Sequence, residues 1–350
     1  MWPLLRDMLD EIQSESLATL LTSVHVETSP VGLTHIRPLD AHLFSTANNP
    51  VFTSSLKRGD VIEIQGAPSS GKTHLLYHLL IICVIPSTHH STTLGGWGKA
   101  AVVFDMDHNF DIVRFNRLLR HRITRLLGND APDIENVVQQ SLQRLRVFRP
   151  HSSLQLSVTI SDLAKYHSDH VTHEEIGIVA IDSMSAHYWP DRFVAQQMRT
   201  AAMSSEHAKE AQAYIPPLRH VLLALESFRR THSPVIIMTN WGLHSASKND
   251  PFLYRQHLHP FPAPFPHSHP TTSRRDAPAT VSVFHEDMPR LTCHITVHQD
   301  VNKKSDSPGS HDDRLDLARK GKIVGLIRTP NATSVGKFLL YITNDEVLAD

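Results

Sequence analysis

Four residues in the first quarter of the chain have the types and the spacing of a phosphate-binding loop. Gly66, Gly71, Lys72 and Thr73 stand in the segment GAPSSGKT, which fits the pattern GxxxxGK[ST]. Glycines let backbone N–H groups approach phosphate oxygens closely, a lysine neutralises phosphate charge, and a threonine hydroxyl can bind Mg²⁺. The segment therefore predicts a P-loop that binds a nucleoside triphosphate; the alternative is an ordinary Gly/Ser turn.

The elements on either side of this segment are those that a P-loop requires. The apolar run 61–65 predicts a strand, and 73–84 predicts a helix whose N-terminus faces the phosphates. A second apolar strand, 176–182, ends in Asp182. Because functional side chains gather at the carboxyl ends of parallel strands, we expect Asp182 beside the P-loop, where it would help Thr73 to hold Mg²⁺. The alternative for Asp182 is a cap on the following helix.

Short apolar runs that alternate with helical patterns predict an α/β fold. Most of the runs are apolar throughout, which is typical of parallel strands covered on both faces. The predicted strands are 61–65, 100–106, 145–148, 176–182, 234–240, 291–298, 322–327 and 337–343, and the predicted helices are 73–84, 111–127 and about 206–230. We expect a mainly parallel central sheet with helices on both faces, and the last three strands as antiparallel additions at one edge.

The same patterns divide the chain into an arm and a core. Residues 1–57 predict an N-terminal arm, and residues 58–350 predict one core domain. Within the core, 244–290 is rich in Pro and His and cannot form a regular ladder, so we expect a disordered loop there. In the predicted helix 111–127, one apolar face consists of Ile112, Phe115, Leu118, Leu119, Ile123 and Leu126.

Composition restricts the class of protein. The 350 residues are 40% hydrophobic and 20% charged, with 34 Lys+Arg against 35 Asp+Glu, so the chain as a whole does not attract nucleic acid at long range. The longest apolar run, 75–86, is too short to span a bilayer, and the N-terminus lacks a secretory pattern. Cys83 and Cys293 predict buried, reduced thiols; a disulfide is the alternative.

Two segments beyond the P-loop carry a family resemblance. FDMDHNFDIVR (104–114) and DSMSAHYWPDR (182–192) follow the P-loop in an order that resembles the RecA-like recombinases, and specifically their eukaryotic paralogues. The resemblance implies a RecA-like ATPase core that binds ATP and Mg²⁺. It also implies a nuclear protein that acts in double-strand-break repair by homologous recombination, as one subunit of an assembly with other recombinase paralogues that supports the recombinase filament on single-stranded DNA.

The resemblance also assigns roles to individual residues. It implies that the whole loop from Gly66 to Thr73, including Ser69 and Ser70, binds phosphates, that Asp182 belongs to the Mg²⁺ shell and that Arg114 stacks on adenine. For Arg114 the alternative is a solvated side chain on an amphipathic helix.

Three positions depart from the active members of that family. Asp107 stands where they have a glutamate that orients the attacking water, and its carboxylate is withdrawn by about 1 Å, a displacement that can cost on the order of 10²-fold in rate. Trp241 follows Thr239 and Asn240 at the place where active members have a glutamine that senses the γ-phosphate, and Arg328 replaces an aspartate that caps a neighbour's ATP. We therefore expect ATP binding with weak or absent hydrolysis.

Other motifs leave two interpretations open. The FxxA tetrapeptide Phe44–Ala47 is either a recombinase docking motif or a coincidence, because two fixed positions recur by chance. Arg274 and Arg275 either touch DNA phosphates, which would give weak, sequence-independent binding, or belong to a solvated loop. The histidines at 257, 259, 267 and 269 lack an acidic or Cys ligand beside them, so we expect no metal there.

Three hypotheses follow for the function. The first is an ATP-binding subunit of a recombinase-paralogue complex. The second is a DNA-stimulated ATPase or strand-exchange enzyme in its own right, with Asp107 as the catalytic carboxylate. The third is an unrelated P-loop kinase or GTPase, which is weakened because the chain has no NKxD guanine motif.

Overall fold

A computed structural model of the chain describes residues 31–46, 54–170, 174–202, 214–246, 252–262, 288–299, 321–330, 332 and 334–349. These residues form a nine-stranded sheet with helices on both faces, and a separate two-stranded hairpin. The strands of the sheet are β1 Val61–Gly66, β4 Ala100–Asp105, β5 Leu145–Phe148, β6 Ile176–Asp182, β7 Val235–Trp241, β8 Cys293–Gln299, β9 Lys322–Arg328, β10 Gly336–Ile342 and β11 Val347–Ala349. The hairpin consists of β2 Thr88–His89 and β3 Thr92–Thr93.

The sheet has the order β11-β10-β9-β8-β1-β7-β6-β4-β5. The six strands from β8 to β5 are parallel to their neighbours, and β9, β10 and β11 extend the sheet in antiparallel fashion. The predicted α/β class, with a mainly parallel sheet and antiparallel edge strands, is therefore confirmed.

One strand at the predicted antiparallel edge runs in the other direction. The stretch 291–298 predicts an antiparallel strand, but β8 pairs in parallel with β1, from Ile62 opposite Cys293 to Gln65 opposite Thr296. That prediction was wrong for β8 and right for the other two, which are antiparallel. The physical reason is the long connection: more than forty residues separate β7 from β8, enough for a crossover back to the same end of the sheet.

The helices are α1 Arg37–Thr46, α2 Lys72–Val84, α3 Ile112–Leu127, α4 Ile134–Gln143, α5 Ser153–Ser161, α6 Leu163–His170, α7 Tyr188–Ala202 and α8 Pro217–His232. Alternate residues of each central strand enter two separate cores. In β4, Ala101 and Val103 pack with α2 and α3, while Val102 and Phe104 pack with α5 and α8. Because the sheet is covered on both faces, its central strands are apolar at nearly every position.

Helix α3 follows the predicted apolar face with one exception. Phe115, Leu118, Leu119 and Ile123 are buried, and Leu126 packs partly against the same core. Ile112 was predicted on this face but is 47% exposed, because it is the first residue of the helix and precedes the turn that meets the core. The helix begins there because the Asp111 carboxylate accepts hydrogen bonds from the backbone N–H groups of Val113 and Arg114, at 2.9 and 3.0 Å.

Six of the eight helices among the described residues differ from the prediction. The predicted helix 206–230 begins at Pro217 in the structure, and residues 214–216 before it are not helical. Two consecutive prolines, Pro216 and Pro217, explain the later start, because proline fits the first turn of a helix and not its interior. Residues 203–213 lie outside the described part of the chain. Helices α1, α4, α5, α6 and α7 were not predicted, and α7 begins at Tyr188, inside the segment 182–192.

The described part of the predicted N-terminal arm, residues 31–46 and 54–57, packs on the core. Helix α1 lies against β10, and Val31, Ile36 and Leu39 are buried. In the predicted loop 244–290, the described residues 252–262 have no helix or strand, yet Leu258 and Phe261 are buried against the α8 side of the sheet. Within 1–57, residues 1–30 and 47–53 lie outside the described part of the chain. Within 244–290, residues 247–251 and 263–287 lie outside it.

Two predictions from the sequence concern the cysteines and the absence of a membrane-spanning segment. Cys83 and Cys293 are both free and buried, as predicted, and burial raises the pKa of each thiol. Such thiols are chemically inert. Among the described residues, no helix combines the length and the apolar character that crossing a bilayer requires.

Candidate nucleotide-binding site

The predicted P-loop, residues 66–73, connects the central strand β1 to helix α2. β1 ends at Gly66 and α2 begins at Lys72, so the loop lies at the N-terminus of a helix, where backbone N–H groups point outward. Gly71 has a φ of 93°, and a Cβ atom there would lie 2.0 Å from the Cδ1 atom of Ile323. The positive φ strains any residue with a side chain at position 71, and the terminal methyl of Ile323 would also have to move aside, so the loop geometry favours glycine here.

Lys72 folds back over the loop. Its Nζ atom donates hydrogen bonds to the carbonyl oxygens of Gly66 and Ala67, each at 2.9 Å. Burial lowers the pKa of Lys72, and the negative charges of Asp182 and Asp107 partly oppose that shift. The ammonium group is therefore held at the cradle beside two carboxylates, where an incoming anion can replace the two carbonyl oxygens as its partner.

Thr73 and Asp182 meet at the same point. Thr73 Oγ1 donates to Asp182 Oδ2 at 2.9 Å, and Thr239 Oγ1 on β7 donates to Asp182 Oδ1 at 2.5 Å. Burial raises the pKa of Asp182, and the two hydroxyl groups act in the opposite direction by stabilising the carboxylate. The structure thus brings together the two residues that the sequence predicts as the Mg²⁺ ligands, although they are 109 positions apart in the chain.

Asp107 belongs to the same cluster of side chains. It follows β4, whose last residue Asp105 pairs in register with Asp182, and its Oδ2 atom accepts a hydrogen bond from Ser183 Oγ at 2.9 Å. Its charge acts on both Lys72 and Asp182. The predicted catalytic carboxylate of Asp107 therefore lies next to the predicted metal ligand Asp182. Ser183, which follows Asp182 in the chain, orients the Asp107 carboxylate.

A cleft of about 610 Å³ opens beside these groups. That volume is in the range of sites for cofactor-sized ligands. Its lining includes Ser69, Ser70, Gly71, Lys72, Thr73, His74, Tyr77, Asn109, Asp111, Arg114, Gln299, Gly321, Lys322, Ile323 and Ile342. The cleft thus runs from the P-loop to the first turn of α3.

Arg114, in the first turn of α3, lines this cleft. Its Nη2 group donates a hydrogen bond to the carbonyl oxygen of Thr343, and burial lowers the pKa of its guanidinium. The contact fixes the guanidinium at the cleft wall, so the side chain is not simply solvated. Stacking on adenine stays a prediction.

A buried polar network beneath the P-loop was missed by sequence reasoning. Glu63 on β1 is fully buried, and its Oε1 atom accepts hydrogen bonds from Asn240 Nδ2 at 2.6 Å and Gln256 Nε2 at 2.9 Å. Its Oε2 atom has no hydrogen-bond partner and lies 3.8 Å from His294 Nε2. The available signal was a lone carboxylate inside the apolar strand 61–65, which must be paired or neutral when buried.

The network continues to the segment 182–192. Ser185 Oγ donates to Asn240 Oδ1 at 3.3 Å, accepts from the backbone N–H of Trp241 at 3.0 Å, and lies 3.0 Å from His257 Nε2. Both ends of the Asn240 side chain are therefore engaged inside the protein. Trp241, which follows Asn240, stands where active relatives have the glutamine that senses the γ-phosphate, and its backbone N–H is bound to Ser185.

Burial raises the pKa of Glu63 to about 7, and hydrogen bonds from Asn240 and Gln256 only partly oppose this. Folded Glu63 therefore holds a proton that the unfolded chain releases near pH 4.5, so stability falls as pH rises from about 4.5 to 7. Glu63→Gln cannot titrate. We expect its stability relative to wild type to improve by about 3 kcal/mol across that window, measured by urea unfolding at pH 4 and pH 8.

The matched control for this prediction is Glu135→Gln on the surface of α4, which should show no comparable pH dependence. Taking the difference from wild type at each pH removes the titrations that the two proteins share. A constant difference between Glu63→Gln and wild type from pH 4 to 8 would mean that Glu63 does not titrate in this window.

Several other predicted residues do not join the cleft. Arg328 is buried on β9, where its Nη1 group donates to Thr296 Oγ1 at 2.9 Å. Phe44 is half-buried on α1, and Ala47 lies outside the described residues. Arg274, Arg275, His267 and His269 also lie outside them.

The sheet, its antiparallel edge and the loop between β1 and α2 define the class of protein: an α/β protein with the architecture of a RecA-like core. The chain is similar to two proteins named for DNA repair. It is 25% identical over 214 residues to the DNA repair protein XRCC2 homolog of Arabidopsis thaliana, which covers 54% of this chain and 56% of the relative. It is 29% identical over 161 residues to the DNA repair protein XRCC2 of Mus musculus, which covers 46% of this chain and 50% of the relative.

These similarities confirm the resemblance inferred from 104–114 and 182–192, and they narrow it to XRCC2, the second X-ray-repair cross-complementing protein. The chain spans about half the length of each of these relatives. No protein-family model matches it.

Proposed function

We propose that this protein is an ATP-binding subunit of a nuclear recombinase-paralogue complex that acts in DNA double-strand-break repair by homologous recombination. The names of its relatives support the role in repair. One observation carries the nucleotide-binding part: the Thr73 hydroxyl of the P-loop lies 2.9 Å from the carboxylate of Asp182, at the end of a cleft large enough for ATP.

The residues at the cleft fit Mg²⁺ and a triphosphate. Mg²⁺ binds oxygen ligands, usually one or two from the protein together with phosphates and water, and Thr73 and Asp182 supply such oxygens. Lys72 would exchange its two carbonyl partners for phosphate oxygens, and the N-terminus of α2 would add backbone donors. Bound Mg²⁺ would neutralise phosphate charge. The side chain of Arg114 would contact the adenine from the α3 end of the cleft.

Binding without efficient turnover is the activity that these residues support. Asp107 is one methylene shorter than the expected glutamate, and Trp241 stands where active relatives have the glutamine that senses the γ-phosphate. Arg328 is buried and cannot reach a neighbouring subunit. We propose that ATP serves to order the P-loop edge so that another recombinase paralogue can dock.

DNA contact would be local and weak. The formal charge of −1 provides no long-range attraction, and Arg274 and Arg275 in the 244–290 segment are the proposed phosphate contacts. Such contacts would give sequence-independent, salt-sensitive binding to single-stranded DNA. In this proposal the protein supports assembly of the recombinase filament and does not form one itself.

Titration calorimetry with Mg·ATP tests the nucleotide-binding part. We expect wild type to bind one ATP, and Asp182→Asn to bind it about 10- to 100-fold more weakly in Mg²⁺, because a neutral amide no longer balances the metal charge. Asp162→Asn, an exposed aspartate after α5, is the matched control and should bind like wild type. Equal affinity in all three proteins would contradict a metal-binding role for Asp182.

A recombination reporter tests the role in repair. In cells of the source organism that lack this protein, repair of an induced double-strand break from a homologous template should fall, and the wild-type chain should restore it. Comparing restoration by Lys72→Ala then separates the repair role from the nucleotide requirement. Unchanged repair in cells without the protein would reject the proposed role.

A further inference from the structure

Three side chains at the opposite end of α2 from the P-loop form a cluster that the proposed function does not use. His89 and His90 lie on the β2–β3 hairpin, which follows α2, and Asp133 directly precedes α4. His90 Nε2 lies 3.2 Å from Asp133 Oδ2, and His89 Nε2 lies 3.7 Å from the same oxygen. One ligand atom from each residue lies within 4.8 Å of the other two. Since α2 has 13 residues, about 20 Å separate this cluster from Lys72.

The backbone turns both imidazoles to the same side. Adjacent residues of an extended strand point to opposite faces. His90, however, has a φ of 50°, in the left-handed region that residues other than glycine seldom adopt, and its ring centroid lies 4.2 Å from that of His89. Two neighbouring histidines can therefore act on one ligand.

The Asp133 carboxylate is directed to the histidines and not to its own helix. An aspartate at the N-cap usually accepts a hydrogen bond from the first turn, but Asp133 makes no side-chain cap. The His89 side chain is only 16% exposed, and its buried Nε2 atom has no hydrogen-bond partner among the described residues. The Nε2 atom of His89 and the carboxylate oxygen of Asp133 thus lie close together, and both can still bind a ligand such as a metal ion.

The spacing fits a tetrahedral metal ion. With Zn–N and Zn–O bonds of roughly 2.0 to 2.1 Å, neighbouring ligand atoms of a tetrahedron lie about 3.4 Å apart. The two measured nitrogen–oxygen separations, 3.2 and 3.7 Å, lie on either side of that value. Imidazole and carboxylate are ligands that Zn²⁺ accepts.

From this geometry we propose that His89, His90 and Asp133 form a Zn²⁺ site, with a water molecule as the fourth ligand. The ion would clamp the β2–β3 hairpin to the N-terminus of α4. It would be independent of nucleotide, because none of the three residues lines the cleft.

Competition titration of the full chain with Zn²⁺ and a chromogenic chelator tests this proposal. The background carries His267→Ala and His269→Ala, so that the histidine-rich segment does not compete. We expect one tight site, and His90→Ala or Asp133→Asn should raise its Kd by about 100-fold or more, since removing even an outer-shell partner costs 10- to 100-fold. Circular dichroism checks that both variants fold.

The matched control is the double variant His108→Ala/His151→Ala. These two exposed histidines also lie ring to ring, with centroids 5.1 Å apart, and they are not among the described residues that can group around a metal. The control should leave the Zn²⁺ affinity unchanged. The proposal is overturned if no tight site exists, if His90→Ala and Asp133→Asn bind Zn²⁺ like the background protein, or if the control loses affinity equally.

Discussion

Replacing Lys72 with alanine is expected to abolish the stabilisation of this protein by Mg·ATP. At an ATP concentration of 100 times the dissociation constant, binding adds about 2.7 kcal/mol to the free energy of unfolding of the wild type. Lys72 supplies the ammonium group that faces the phosphates, and it lies beside the carboxylates of Asp107 and Asp182. Without it, the site would present those two negative charges to an anionic ligand, so the shift in a thermal melt should disappear.

The matched control is Lys165→Ala, an exposed lysine on α6, which should keep the full shift. Melts without nucleotide show whether Lys72→Ala retains its fold, since its Nζ atom also holds the carbonyl oxygens of Gly66 and Ala67. A wild type that Mg·ATP does not stabilise, or a Lys72→Ala protein with the same shift, would contradict the proposed nucleotide site.

Asp107→Glu is expected to increase ATP hydrolysis by up to about 100-fold. The longer side chain advances the carboxylate by about 1 Å towards the position of an attacking water, and a misplacement of that size can cost on the order of 10²-fold in rate. Asp107 lies in the cluster with Asp182 and accepts a hydrogen bond from Ser183, so a carboxylate is already close to the predicted metal ligand. Single-turnover release of phosphate, measured with and without single-stranded DNA, gives the rate.

Asp107→Asn is the control, because it keeps the size of the side chain and removes the base. Its hydrolysis should not exceed that of wild type. If wild type already hydrolyses ATP at the rate of an active recombinase and Asp107→Asn abolishes this, the protein is an ATPase in its own right. If Asp107→Glu gives no increase, the length of this side chain does not limit the reaction.

Local patterns in the sequence were sufficient for the parallel centre of the sheet. The strands β1, β4, β5, β6 and β7 lie within one or two residues of their predicted bounds. Strands buried on both faces need an unbroken apolar run, and the turn between β1 and α2 needs glycine, so both leave a mark in the local sequence.

Contacts between distant segments required the tertiary structure. The parallel pairing of β8 with β1 depends on the route of a long connection, which local pattern does not record. The start of α8 at Pro217 and the exposure of Ile112 depend on where each helix meets its neighbours.

The sequence by itself determined which residues can make up the candidate site. They are the predicted P-loop, Asp182 at the end of strand β6, and Asp107, which follows the neighbouring strand β4. Only the tertiary structure decided that the Thr73 hydroxyl meets Asp182, that Asn240 is bound to Glu63, and that a buried carboxyl lies beneath the loop. The physical reason is the distance along the chain over which each effect acts. Propensity and burial act through neighbours in the chain, whereas hydrogen bonds and pKa values depend on groups that folding brings together from far apart.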